Sequence, residues 1–201
     1  GTVDQENATD WQWKLDGTTY QTGIDPVEKM PGTYSLSETQ KDNFHVTSLV
    51  CENKGNEILN TVSESANITL KSGDKVVCTF TNARNLGQLI VKKVVVNDNG
   101  GTLEAKDFSF QIDGGTPIKF EEDGQNEYTK YAGLSYNIVE VEANQRGYTT
   151  TYENCSNVTV PHNGTATCKI TNNDNKPSLK LVKEVVNNNG GDKVATDWTL
   201  T

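Results

Sequence analysis

Two charged side chains and one carboxamide stand at positions that strand alternation turns inward. Lys93 interrupts the row Leu89, Val91, Lys93, Val95, and Glu140 ends the row Tyr136, Ile138, Glu140. Asn172 is in line with Cys168 and Ile170. Charges at such positions are costly to bury unless paired or neutralised. Burial disfavours the ammonium form, so a desolvated lysine can be a free amine able to attack a carbonyl. The same burial favours a protonated glutamate. The competing arrangement is a Lys93–Glu140 ion pair near the sheet edge, with Asn172 merely hydrogen-bonded. Parts of the pattern recur. Tyr34, Leu36 and Glu38 share a face, as do Cys78, Phe80 and Asn82, and Leu179, Leu181, Lys183 and Val185 repeat the lysine row.

The elements that must carry these residues are short strands. Threonine, valine and asparagine dominate, punctuated by Asp16-Gly17, Asn99-Gly100, Asp123-Gly124, Asn163-Gly164 and Asn189-Gly190, which supply the positive φ angles of tight turns. Period-two alternation runs through Asp107–Ile112 and Ala166–Asn172, and no segment holds a helical period long enough for a stable helix. The expectation is an all-β chain of antiparallel strands.

The chain also repeats itself. Leu89–Gly101 recurs as Leu179–Gly191, and Asp107-Phe108-Ser109-Phe110 recurs 90 residues later as Asp197-Trp198-Thr199-Leu200. It is anticipated 97 residues earlier by Asp10-Trp11-Gln12-Trp13. Each unit has the size of one sandwich domain. The phase is offset: Gly1-Thr2 matches Gly101-Thr102, so the first unit begins after its own first strand. The expected division is 1–84, a sandwich lacking that strand; 85–175, a complete sandwich; and 176–201, the opening of a third repeat. Either the chain is part of a longer array, or its C-terminal strand completes the first domain of a neighbouring molecule.

Four cysteines divide evenly between the two units, and their matched placement pairs Cys51 with Cys78 and Cys155 with Cys168. Each bond would contribute roughly 2–4 kcal/mol by restricting the unfolded chain. A zinc site is the alternative, but there is no Cys-x-x-Cys. Disulfides imply an oxidising, exported compartment. Sequons at Asn7, Asn67, Asn154, Asn157 and Asn163 permit glycosylation without showing it.

Lys93, then Tyr136-Asn137-Ile138-Val139-Glu140 leading to Gly147-Tyr148, then Asn172, resembles the prealbumin-like, Cna protein B-type domains of bacterial pilins and adhesin stalks. The resemblance spans nearly the whole chain as repeats. It implies β-sandwiches whose first and last strands are adjacent and joined by a Lys–Asn isopeptide bond. Lys93 would be the nucleophile, Asn172 the electrophile and Glu140 the catalyst. In the first unit Glu38 and Asn82 match, but residues 1–9 contain no lysine; in the third only Lys183 is present. Strand donation between molecules would bring Lys183 to Glu38 and Asn82 and permit a link between subunits. No Leu-Pro-x-Thr-Gly motif occurs within the 201 residues.

With 18 basic and 27 acidic residues the net charge is −9, which argues against nucleic acid and anionic membrane surfaces as partners. Only 33% of residues are hydrophobic and no run could span a bilayer. His45 and His162 sit in unrelated contexts, and no phosphate loop, nucleophile elbow or metal-ligand set is legible, so neither enzyme activity nor a cofactor or metal is expected. Asn97–Gly101 reads as a hairpin turn rather than a calcium loop, and Trp11, Trp13 and Trp198 read as core. The expected architecture is tandem Ig-like or prealbumin-like β-sandwiches with a displaced C-terminal strand. The expected role is that of a subunit or segment of an extracellular filament, pilus or stalk whose partners are copies of itself or adjacent repeats. The alternative role is an adhesin module recognising carbohydrate or host protein.

Overall fold

The computed structural model describes residues 6–199. Gly1, Thr2 and Leu200, which enter the repeat alignment, lie outside them. The described chain is all-β, with three single-turn 3-10 helices at Ala8–Asp10, Ala105–Asp107 and Ala195–Asp197.

The first seven strands are β1 (Gln12–Leu15), β2 (Thr18–Gln21), β3 (Gly32–Glu38), β4 (Phe44–Asn53), β5 (Asn56–Thr61), β6 (Ser65–Leu70) and β7 (Val76–Arg84). They form sheets in the orders β2-β1-β3-β6 and β5-β4-β7. Between the sheets lie Leu15, Leu36, Leu49, Cys51 and Ile68, drawn from both. Asp16-Gly17 makes the expected two-residue turn between β1 and β2, with φ positive at both residues; Lys54-Gly55 does the same between β4 and β5.

The next nine are β8 (Leu86–Val96), β9 (Ser109–Ile112), β10 (Ile118–Lys119), β11 (Gln125–Tyr131), β12 (Ser135–Tyr136), β13 (Ile138–Glu140), β14 (Tyr148–Glu153), β15 (Val158–Thr159) and β16 (Thr165–Asp174). One sheet runs β11-β8-β16-β14 and the facing one β10-β9-β13, with a small β12-β15 ladder beside them. Leu89 and Val91 of β8, Phe110 of β9, Ile138 of β13 and Ile170 of β16 are all at most 2% exposed and pack together. The expectation of purely antiparallel pairing fails at one place. β8 and β16, the first and last strands of this sandwich, pair in parallel, with Val91 opposite Cys168 and Lys93 opposite Ile170.

The two sandwiches differ where that parallel strand would sit. β7 answers to β16, yet among the described residues it pairs only with β4. Residues 24–30 answer to β11 by their place between β2 and β3, and they too form no ladder with the described residues. Both would flank a strand equivalent to β8.

The segment Leu179–Val186, expected as a strand, pairs with nothing among the described residues, and Leu179, Leu181 and Val186 are 85%, 64% and 70% exposed. A strand needs a neighbour's backbone to complete its ladder, and none is adjacent here. For the same reason Trp198 is half exposed, with no core to enter, whereas its counterparts Trp11 and Phe108 are buried. Asn97–Gly101 is likewise no hairpin turn. It leads from β8 to the 3-10 turn at Ala105 and is held by Asp174 from the end of β16.

Both disulfides form as paired in the sequence, Cys51–Cys78 across β4 and β7, and Cys155–Cys168 onto β16.

Candidate functional site

Alternation on β8 turns Leu89, Val91 and Lys93 toward the facing sheet, and parallel pairing sets Asn172 on the neighbouring strand, one inward position beyond Ile170, the partner of Lys93. In parallel strands such diagonal neighbours lie within reach of long side chains. Glu140 comes from the opposite sheet, at the end of β13, where it pairs with Phe110 of β9. The three side chains therefore meet across the sandwich rather than along one strand.

They meet with water excluded. Lys93, Glu140 and Asn172 are 5%, 2% and 1% exposed. Lys93 Nζ donates to Glu140 Oε2 as an ion pair. The other carboxylate oxygen, Oε1, accepts from Asn172 Nδ2 at 2.7 Å. The lysine ammonium also faces the Phe108 ring, 4.2 Å from its centroid, and lies 5.4 Å from that of Phe120. The Glu140 backbone N–H donates to Tyr152 Oη at 3.2 Å. Burial pushes the Lys93 amine below its ordinary value, against the opposing pull of the Glu140 hydrogen bond and charge. Asn172 Oδ1 is buried without a hydrogen-bond partner. One carboxyl group thus holds an amine on one oxygen and a carboxamide on the other. Transfer of a proton from Lys93 to Glu140 would leave a neutral nucleophile beside a carboxylic acid. A half-turn of the Asn172 amide would present its Oδ1 to that acid.

The first sandwich builds the same site without the amine. Glu38 ends β3 and pairs with Trp13 of β1, as Glu140 pairs with Phe110. Asn82 Nδ2 donates to Glu38 Oε1 at 3.0 Å. Glu38 Oε2, the atom matching the lysine acceptor in the second sandwich, is buried and accepts no hydrogen bond. Burial raises the Glu38 carboxyl above its usual value, with the Asn82 hydrogen bond working against this and nearby Glu64 adding to it. Within one copy, Lys183 does not join them; its amine stacks over Trp198, 4.5 Å from the ring centroid.

Asp174 is the polar anchor that alternation did not single out. It is 6% exposed, and its carboxylate accepts from the backbone N–H groups of Asp98, Asn99 and Gly101 and from the Asn99 side chain. Burial pushes this carboxyl up, and those hydrogen bonds outweigh it and hold it below the usual range. Gly101 is required here by space, since a Cβ would come within 2.3 Å of Tyr148 Oη. The signal in the sequence was Asp174 falling two residues after Asn172, on the same face of the same strand. Among the described residues no group of histidine, cysteine or carboxylate side chains has the arrangement of a metal site.

Comparison with known proteins gives matches along both sandwiches. Residues 2–84 match the model of a prealbumin-like fold domain, and residues 85–173 and 174–201 match a second model of that description. Similar solved structures include the major pilin protein T3.2 of Streptococcus pyogenes serotype GAS13637, 17% identical, covering 83% of this chain and 90% of that one with a TM-score of 0.38. They also include the minor pilin GBS52 of Streptococcus agalactiae, 15% identical over 85% and 92% of the two chains with a TM-score of 0.35. The Bacillus anthracis TIE protein is 11% identical over 85% of this chain and 42% of its own, with a TM-score of 0.32. No curated protein matches the sequence.

Proposed function

The chain belongs to the prealbumin-like fold domains, and from that premise we propose that it is a structural, non-enzymatic segment of an extracellular surface filament, pilus or stalk, built to bear tension. The working division is a strand-deficient sandwich over 1–84, a complete one over 85–175 and the opening of a third repeat over 176–201. Copies or successive repeats join head to tail, with the strand Leu179–Val186 of one entering the first sandwich of the next.

The observation that carries this reading is the buried trio in which Glu140 of the facing sheet holds Lys93 of the first strand and Asn172 of the last strand of the second sandwich. The chain enters that sandwich at the start of β8 and leaves it at the end of β16, and the two strands run in parallel side by side. Tension applied through the chain therefore shears β8 against β16, and a covalent tie between them carries the load. The neutral Lys93 amine attacks the Asn172 side-chain carbonyl carbon while the protonated Glu140 polarises its oxygen. Glu140 then returns a proton to the departing nitrogen. One Nζ–Cγ bond forms, one Cγ–Nδ2 bond breaks, and ammonia leaves. Cys155–Cys168 adds a second covalent tie on β16.

Intact mass spectrometry of the purified chain tests this. The expected mass is the sequence mass less four hydrogens for the disulfides and one ammonia for the bond, with a Lys93–Asn172 branched peptide after digestion. Glu140→Ala should retain the ammonia and melt lower. An unmodified Lys93 in the folded protein would overturn the reading.

A further inference from the structure

We infer that Asn85 is a two-sided latch that locks the two sandwiches into one rigid body, so that the boundary between them does not act as a hinge. The inference concerns the joint alone and holds whether or not Lys93 and Asn172 are bonded.

A boundary between two small domains is by default a place of relative motion, unless something fixes the chain that crosses it. Here β7 ends at Arg84 and β8 begins at Leu86, so a single residue, Asn85, makes the crossing. Rotation about its two soft dihedrals, φ and ψ, is what would swing one sandwich against the other. Asn85 is 6% exposed, and each sandwich holds one side of it. Its N–H donates to the carbonyl of Asn43, at the entry to β4 in the first sandwich, at 2.8 Å. Its own carbonyl accepts from the Ala132 N–H, just beyond β11 in the second sandwich, also at 2.8 Å. Its side-chain Oδ1 shares a hydrogen bond of 2.7 Å with His45 Nδ1 on β4. A swing at the joint therefore breaks a bond to one sandwich or the other and leaves a buried amide group without a partner, which is the costly state for a peptide.

The anchors are themselves fixed. Ala132 is 0% exposed, and the next N–H, that of Gly133, donates to the carbonyl of Val160 in the second core at 2.9 Å. Gly133 also makes room for the first sandwich. A Cβ there would come within 2.2 Å of the Asn43 side-chain nitrogen, so the Asn43 carboxamide sits directly on the backbone of the second sandwich. On the other side Asn43 holds a left-handed φ of 64°. Phe44, next to it, meets the Trp11 ring edge-on at 5.3 Å and carries the Arg84 guanidinium over its face at 4.6 Å.

Half of the latch recurs in the second sandwich. Asn175 stands 90 residues after Asn85 and directly after Asp174, the last residue of β16. Its N–H donates to the carbonyl of Gly147 at 2.8 Å, and its Oδ1 accepts from Thr149 Oγ1 at 2.6 Å. Gly147 and Thr149 flank the first residue of β14 as Asn43 and His45 flank the first residue of β4, and Gly147 also has a positive φ, 82°. The asparagine after the last strand thus makes the same two contacts with its own sandwich in both units. At Asn85 the following sandwich adds the third contact, from Ala132, and that contact is what fixes ψ as well as φ. A pull on the chain is then passed from β7 to β8 without first straightening a joint.

The test uses the full chain, disulfides formed and nitrogen-15 labelled. In a dilute liquid-crystal medium the amide residual dipolar couplings of both sandwiches should fit one alignment tensor. Trypsin should spare the Arg84–Asn85 bond while it cuts after the exposed Lys180. Inserting Gly-Ser-Gly between Asn85 and Leu86 leaves the bonds to Asn43 and His45 and detaches the carbonyl from Ala132. The couplings should then need two tensors, and cleavage after Arg84 should quicken about tenfold, because proteolysis follows the population of the opened joint. If the insertion prevents folding, Asn85→Ala, which gives up the His45 contact alone, should still quicken that cleavage about two- to fivefold. Two tensors in the unaltered chain, one tensor in the insertion variant, or unchanged cleavage in both variants would each overturn the latch.

Discussion

The two sandwiches place a glutamate of one sheet against an asparagine of the other, and they differ in whether a lysine strand lies between. In the second, Lys93 takes up the free carboxylate oxygen and all three residues are at most 5% exposed. In the first, Glu38 and Asn82 keep their hydrogen bond but the second carboxylate oxygen is left unpaired and the strand bearing Asn82 is half-open. The glutamate–asparagine contact is thus formed by the sandwich itself, without the lysine. What the lysine strand adds is closure of the core and a proton donor for an oxygen that water no longer reaches.

The largest effect should come from breaking the complete trio. Glu140→Ala strands the Lys93 amine in a dry core, and loss of one member of a buried pair costs about 3–5 kcal/mol. Calorimetry should show the second sandwich melting much lower, beyond whatever loss of the covalent tie contributes. Replacing Lys93 and Glu140 together by Met and Leu should cost less than Glu140→Ala, because no unpaired charge is then left buried. A double variant as unstable as the single one would mean that the bond, not the charge balance, dominates.

Next come the disulfides. Removing either pair by Cys→Ser substitutions should cost about 2–4 kcal/mol. Chain entropy makes Cys51–Cys78, with a sequence separation of 27, worth roughly 0.6 kcal/mol more than Cys155–Cys168, with 13. Denaturant titration of the two double variants measures that order.

A smaller contrast separates matched glycines. Gly101→Ala must push against Tyr148 Oη at 2.3 Å and Asp174 Cβ at 2.9 Å, and overpacking of this kind costs about 1–3 kcal/mol. At Gly191 the nearest atom is the Asn187 side-chain oxygen at 2.9 Å, on an exposed segment where that side chain can turn away. Gly191→Ala should leave the melting temperature unchanged in the same assay.

The smallest effect is a difference in pH response. The Glu38 carboxyl is raised in the folded state, so the unfolded chain loses its proton first. The stability it contributes is full below the ordinary value of 4.5 and is lost as pH rises through the raised one. Glu38→Gln should flatten that decline. Lys93 is shifted the other way, by burial, so in an Asn172→Ala chain, which cannot form the bond, its contribution is full above 10.5 and falls as pH drops through the lowered value. Opposite slopes for the two sandwiches, followed by calorimetry across pH, are the expected signature.

Alternation and repetition were enough to turn Lys93, Glu140 and Asn172 inward and to pair the cysteines. A side chain's face depends on the parity of its position, and parity survives without any knowledge of the partner strand. That is why Lys93, Glu140 and Asn172 could be placed inside from their neighbours Val91, Ile138 and Ile170 alone. Which strands lie side by side is a property of the whole chain. The parallel pairing of β8 with β16 and the role of Asp174 in holding Asn97–Gly101 both depend on segments some 75 residues apart in the chain. Trp198 and Leu179 show the limit most plainly: they repeat the pattern of core residues and remain exposed, because burial requires the opposite sheet as well as the right alternation.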